Sequence, residues 1–182
     1  MSQAINADIM DFEKFPNYDL LYTDPPWGLR MVKWFNTQHR KDTGTEPTNT
    51  WNDIFNQLGS LADKTKPMVI EYQVKDAEEV IRVMTAHGHT FVRKTTGAQS
   101  NGRPFVLLHF NCHFEFEENL KGFEFVTDCV KKLKPQVVFD PFAGMGKTAQ
   151  AVQNAGASYI GAEMNPERFK HLQRAVAAYE NL

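Results

Sequence analysis

Asp24-Pro25-Pro26-Trp27, set directly after the apolar run Tyr18-Asp19-Leu20-Leu21-Tyr22-Thr23, constrains this chain more than any other feature. The run reads as a strand entering a sheet, and two consecutive prolines end it, because neither can donate to a ladder and both fix φ. The chain must therefore turn stiffly at the carboxyl edge of the sheet, where open α/β folds bind their ligands. The turn presents the Asp24 carboxylate, the carbonyls around Pro25 and Pro26, and the Trp27 indole. Acceptors beside an aromatic face suit a flat base with an exocyclic amine. The bland alternative is a proline-rich turn with a packing tryptophan.

A second block lies far downstream. Val137-Val138-Phe139-Asp140-Pro141-Phe142-Ala143-Gly144-Met145-Gly146-Lys147-Thr148 reads as an apolar strand, a glycine-containing turn and a helix start. Tyr159-Ile160-Gly161-Ala162-Glu163-Met164-Asn165 follows as a short strand ending in an acid. This is the layout of a nucleoside-binding βαβ unit, in which glycines admit the ligand to the backbone and the acid accepts from ribose hydroxyls. Gly146-Lys147-Thr148 imitates the end of a phosphate-binding P-loop, but Pro141 stands where that motif needs its first glycine.

At 182 residues, 42% of them hydrophobic, the chain has material for one domain with a sizeable core and no second domain of normal size. There is no long apolar run, and the amino terminus carries acids where a signal peptide needs basic residues. Cys112 and Cys129 lack metal or disulfide spacing, and the six histidines are scattered. A metal-free protein of the cytoplasm, or of the host cytoplasm if phage-encoded, is expected. The formal charge of −2 does not announce a polyanion partner, so any nucleic-acid contact must come from a local basic patch.

Residues 5–12 read as an edge strand or short helix, and 19–23 as the strand before the proline turn. Periodicity is lost over 28–49, where Arg30, Lys33, Trp34, Phe35, His39, Arg40 and Lys41 interleave. A loop that long in a compact domain is functional or disordered, and basic residues among aromatics suit a strand with stackable bases. Helices are expected over 52–64 with Asn52 as cap, 76–87 closed by Gly88, 123–133, 147–155 and 166–179. Strands are expected over 68–72, 90–95, 105–110, 137–139 and 158–162, with 96–104 a polar hairpin loop containing Arg103. Alternating strands and helices with one late hairpin predict a single α/β domain: a Rossmann-like, mostly parallel, doubly wound sheet.

With both blocks placed, the chain resembles the S-adenosylmethionine-dependent amino-methyltransferases of the DNA type, in the permuted arrangement where the DPPW block precedes DPFxGxG. The resemblance implies a methyltransferase fold, S-adenosylmethionine as cofactor and S-adenosylhomocysteine as product. It implies catalytic roles for Asp24, Pro25, Pro26 and Trp27. The cofactor set it implies is Asp8 and Ile9 near the adenine, Asp140, Phe142, Ala143, Gly144, Gly146 and Thr148 in the methionine-binding loop, and Glu163 with Met164 at the ribose. Lys121 stands where the family carries a Lys-Pro pair near the cofactor carboxylate, with Gly122 in place of the proline. Arg30, Lys33, Trp34, Arg40, Lys41 and Arg103 are the candidate nucleic-acid contacts. No large target-recognition insertion is present, so site specificity is expected to be short, relaxed or supplied by a partner subunit or a second copy.

Duplex DNA is the expected substrate and RNA the alternative, since related RNA adenine methyltransferases carry a similar motif. Cytosine amine methylation is a second alternative, although it goes more often with Ser than Asp before Pro-Pro. An inactive, methyltransferase-like nucleic-acid-binding subunit is a third.

Overall fold

The computed structural model describes residues 2–99, 101–117 and 120–178. Among them, seven strands form one sheet: β1 (Gln3–Ile5), β2 (Leu20–Thr23), β3 (Met68–Tyr72), β4 (Phe91–Ala98), β5 (Pro104–Phe110), β6 (Val137–Asp140) and β7 (Ser158–Ala162). Their order is β1-β7-β6-β2-β3-β5-β4. The first five strands in that order run parallel, and β5 pairs antiparallel with both β3 and β4. Six helices accompany them: α1 (Gly28–Thr43), α2 (Trp51–Leu61), α3 (Ala77–Ala86), α4 (Glu124–Leu133), α5 (Lys147–Asn154) and α6 (Pro166–Ala177). The expected doubly wound α/β sheet with one antiparallel hairpin is the observed one.

Strand alternation divides the core. Leu21, Met68, Ile70 and Phe139 face the layer with α2 and α3, while Leu20, Tyr22, Val69 and Val138 face α4, α5 and α6. After β2 the chain passes to the first layer, and after β6 to the second. Neighbouring parallel strands whose connections leave to opposite faces open a crevice between their carboxyl ends. The proline turn and the glycine loop, distant in sequence, meet there.

Several local expectations need correction. Residues 28–49 are not a loop: α1 fills most of that span. No proline or glycine interrupts it between Leu29 and Thr43, but its inward stripe includes Asn36 and His39 beside Val32 and Phe35, so apolar periodicity is hidden. Gly44, in the left-handed region at φ 79°, ends the helix by donating to Arg40 O. The cap of α2 is Thr50 rather than Asn52: Thr50 Oγ1 accepts from Asp53 N, and Asp53 returns a carboxylate to Thr50 N. β4 continues to Ala98, which shortens the hairpin loop, and Ser100 within it lies outside the described residues. The last helix is described to Ala177, so Tyr179 also falls outside. No helix among the described residues is long and apolar enough to cross a membrane.

Candidate active site

Asp140 ties the two sides of the crevice together. At the end of β6, its Oδ1 accepts from Thr23 Oγ1 of β2 at 2.7 Å and from Phe142 N at 3.0 Å, while Oδ2 accepts from Tyr159 Oη of β7 at 3.1 Å. Burial pushes this carboxyl up to about 6, and the hydrogen bonds from Thr23, Phe142 and Tyr159 oppose that rise. Asp140 was expected to touch the cofactor. The structure instead makes it a pin beneath the loop, absent from the cavity wall.

Above that pin lies a cavity of about 270 Å³. Its floor is the loop from Pro141 to Met145 with Lys147 and Thr148 at the start of α5. Gly144 stands at φ 55°, and a Cβ there would meet only Arg168 Nη2, at 3.9 Å, so the backbone is open to a ligand. Gly146 serves differently. At φ 83° its added Cβ would lie 2.7 Å from Ala175 Cβ, so this glycine allows α6 to pack on the loop and does not line the cavity.

The far wall is Ala162, Glu163, Met164 and Asn165, joined by Arg168. Glu163 is 8% exposed. Burial raises its carboxyl, while the Asn165 N–H, 2.8 Å from Oε1, and the Arg168 charge lower it. A second acid, Asp8, lines the cavity with Ala7 and Ile9, just beyond β1, the strand paired with β7. Burial raises Asp8 too, against hydrogen bonds from Met10 N and from Asn49 Nδ2 at 2.7 Å.

Helix α1 roofs the cavity with Val32, Phe35, Asn36 and Gln38. Side chains hold the roof down. Asn36 Nδ2 donates to Pro47 O at 3.1 Å, Asn165 Nδ2 donates to Asp42 Oδ2 at 2.7 Å, and the Arg168 guanidinium lies 4.5 Å from the Phe35 ring centre.

The proline turn supplies the remaining corner, through Asp24 and Pro26. Trp27 Nε1 donates to Asp24 Oδ1 at 2.7 Å. Asp24 is exposed where it lines the cavity, yet protein walls its carboxyl, and desolvation pushes it up to about 7 despite the Trp27 bond, with Asp140 adding repulsion. Water reaching so open a carboxylate tempers that shift; its upward direction follows from the concave site. The turn is anchored by Tyr72, whose hydroxyl accepts from Gly28 N and from Trp51 Nε1, both at 2.7 Å. Gly28 is at φ 75°, and a Cβ would come within 3.0 Å of Gln73 Nε2.

Not every expected residue reaches the cavity. Trp27 faces an outer groove with Tyr72 and Arg103, and the Arg103 guanidinium sits 4.9 Å from its ring centre. Lys121 lines a different groove, between α4 and α5, and the cations that do reach the cavity are Lys147 and Arg168. On α1, Arg30, Lys33, Trp34 and Lys41 share an exposed face, with Trp34 50% exposed. Arg40 turns to Glu46 at 2.8 Å. Phe35, which the sequence groups with the basic and aromatic residues of 28–49, lines the cavity instead, and the sequence gives no sign of Asn36, Asn49, the anchor Tyr72 or Arg168. A tyrosine ending a strand and an arginine two residues into a helix carry no local signal of the contacts they make.

A family model described as DNA methylase matches residues 121–174. No curated relative matches the chain. Among solved structures, the complex of M1.HpyAVI with SAM superposes with TM-score 0.66 at 17% identity, covering 96% of this chain and 99% of that one. A candidate DNA modification methylase from Thermus thermophilus, complexed with S-adenosyl-L-methionine, gives 0.69 at 13% identity, covering 98% and 94%. The cytosine-N4-specific PvuII DNA methyltransferase gives 0.59 at 10% identity, covering 94% and 85%. The chain has the fold these proteins share.

Proposed function

We propose that this protein transfers a methyl group from S-adenosylmethionine to the exocyclic amine of adenine in DNA. The observation that carries the reading is the meeting of Asp24 and Pro26 with Gly144, Glu163 and Asp8 around one cavity. The cavity residues suit the cofactor. Gly144 leaves room for close backbone approach, Glu163 can accept from ribose hydroxyls, Phe35 and Ile9 offer apolar walls, and Lys147 and Arg168 can meet a carboxylate. The match of the DNA methylase family to 121–174, and the S-adenosylmethionine complexes of proteins with this fold, support the same reading.

The bound cofactor would supply an electrophilic methyl group, and the chain's own residues prepare the acceptor. An adenine amine is a poor nucleophile because its lone pair is spread into the ring. The Asp24 carboxylate and the Pro25 carbonyl, each accepting one amine hydrogen, favour pyramidal nitrogen with its lone pair freed. Asp24 also stabilises positive charge developing there. Fixing both reactants in one cavity is worth about 7–11 kcal/mol. In a duplex the base must leave the stack at a cost of a few kcal/mol. Stacking on Trp27, worth about 1–3 kcal/mol, offsets that cost once Arg103 yields the ring face. The exposed basic face of α1, beside this turn, is the surface assigned to phosphates.

Labelled methyl transfer to duplex DNA, single-stranded DNA and RNA, followed by nucleoside analysis, tests the proposal. N6-methyladenine from DNA is expected. Label on cytosine would correct the base, label on RNA alone the polymer, and no label on any of them would defeat the reading.

A further inference from the structure

Three carboxyl groups converge near the reaction corner, and they are not equally provided for. Asp24 accepts from the Trp27 indole, and Asp140 accepts from Thr23, Phe142 and Tyr159. Glu71, in β3, receives no side-chain or backbone donor from any described residue. The parallel register pairs Thr23 with Ile70, which sets the next residues, Asp24 and Glu71, side by side. Glu71 lies two residues after Val69 and so faces the same layer as Tyr22. Tyr22 marks the same spot independently: it is 1% exposed, its hydroxyl has no partner among the described residues, and Glu71 is the charge that bears on it most. A half-buried carboxylate without a donor beside two other acids is the least favourable place for a negative charge in the cluster.

We propose that Glu71 is a positioning residue for Asp24: as the neutral acid it donates a hydrogen bond to the Asp24 carboxylate and fixes it for the acceptor amine. This inference rests on the methyltransferase reading for its purpose, though not for its chemistry. Like charges in one concavity do not both ionise, and the member with a donor keeps the charge while the member without one keeps the proton. Desolvation and the Asp24 and Asp140 charges push the Glu71 carboxyl well up, and no donor from a described residue opposes them as the Trp27 indole does at Asp24. Tyr22 and Asp24 face the group from β2 and its turn, and Asp140 from β6. Cys129 of α4 bears on Tyr22, and both groups are themselves pushed up by burial. His109, opposite Val69 on β5, is pushed down to about 4 by burial, then by Arg93, and stays neutral. Once Glu71 ionises, its charge would repel Asp24 and spoil the acceptor geometry.

The test has two arms. Carbon-13 NMR of protein labelled at glutamate side-chain carboxyls, with Glu71→Gln to assign the signal, follows the titration without any substrate. Glu71 is expected to titrate well above its ordinary 4.5, and to move down by about one unit or more in Asp24→Asn, the shift expected on removing a neighbouring charge. In the second arm, kcat is followed against pH. Wild-type kcat should decline as pH rises through about 9. Glu71→Ala should lower neutral kcat about ten-fold with the cofactor KM unchanged. Glu71→Gln, isosteric with the neutral acid, should recover most of that loss and show no alkaline decline. A Glu71 signal titrating with ordinary glutamates, or an alkaline limb that persists in Glu71→Gln, overturns the proposal. Failure of the wild type to methylate any nucleic acid would instead sink the methyltransferase reading, and the NMR titration would still decide whether the pair shares its proton.

Discussion

The two sides of the crevice are built by different means. On the β6–α5–β7 side the backbone does the shaping: left-handed glycines at 144 and 146, a loop closed by Ala143 N–H donating to Ala162 O at 2.9 Å, and the Asp140 pin below. On the β2–α1 side a stiff proline turn launches a helix whose position depends on long-range side-chain bonds, from Tyr72, Asn36, Asn49 and the Asp42–Asn165 pair. Backbone-built geometry varies little with conditions, whereas a roof held by a few partly exposed hydrogen bonds can open locally at modest cost. The first side suits holding a cofactor. The second suits admitting one and then meeting a polymer.

Gly146→Ala should break the backbone-built side most severely. A left-handed φ and a Cβ contact of 2.7 Å with Ala175 combine backbone strain with overpacking. We expect a loss of about 2–4 kcal/mol in unfolding free energy, measured by denaturant titration. An unaltered midpoint would mean that α6 does not rest on this loop. Glu163→Ala leaves the fold but removes an acceptor from the far wall. Cofactor affinity should weaken by about 1.5–3 kcal/mol in calorimetry, the worth of a hydrogen bond to a charged group. Unchanged affinity would take Glu163 out of the binding site.

The roof should respond more gently. Asn49→Ala removes the bond to Asp8, and about 1 kcal/mol of cofactor affinity should go with it while the thermal midpoint stays within a few degrees. A loss as large as that of Glu163→Ala would show the roof to be as rigid as the floor. The smallest expected effect is on the outer face of α1. Replacing Arg30 and Lys33 by Ala should flatten the slope of log affinity against log salt by about one to two units on duplex DNA. The same experiment on Arg40, already paired with Glu46, should move the slope less. Equal slopes in wild type and the Arg30/Lys33 variant would clear this face of phosphate contact.

The same contrast explains what the sequence disclosed. Asp24-Pro25-Pro26-Trp27 and the loop from Asp140 to Gly146 were legible because proline and glycine restrict the backbone by themselves, whatever surrounds them. Both blocks sit at strand ends as expected, and the strand and helix alternation specified the sheet. Helix α1 was hidden because its inward stripe is part polar, with Asn36 buried against two backbone carbonyls from the following loop. Lys121 was placed by resemblance alone, and Phe123, two residues on, reaches the cavity in its stead. Nothing in the sequence singles out Glu71, since only the pairing of β2 with β3 brings it beside Asp24.

The division of labour across the crevice is tested most directly by measuring cofactor affinity and methyl transfer together in Asp24→Ala. Asp24 lines the cavity from the proline turn and Glu163 from the end of β7, so loss of Asp24 should cut transfer by about a thousand-fold or more. S-adenosylmethionine affinity measured by calorimetry should stay within a few-fold of wild type. A variant that loses cofactor binding as severely as activity would place Asp24 in the cofactor site and contradict the assignment of the proline turn to the acceptor base.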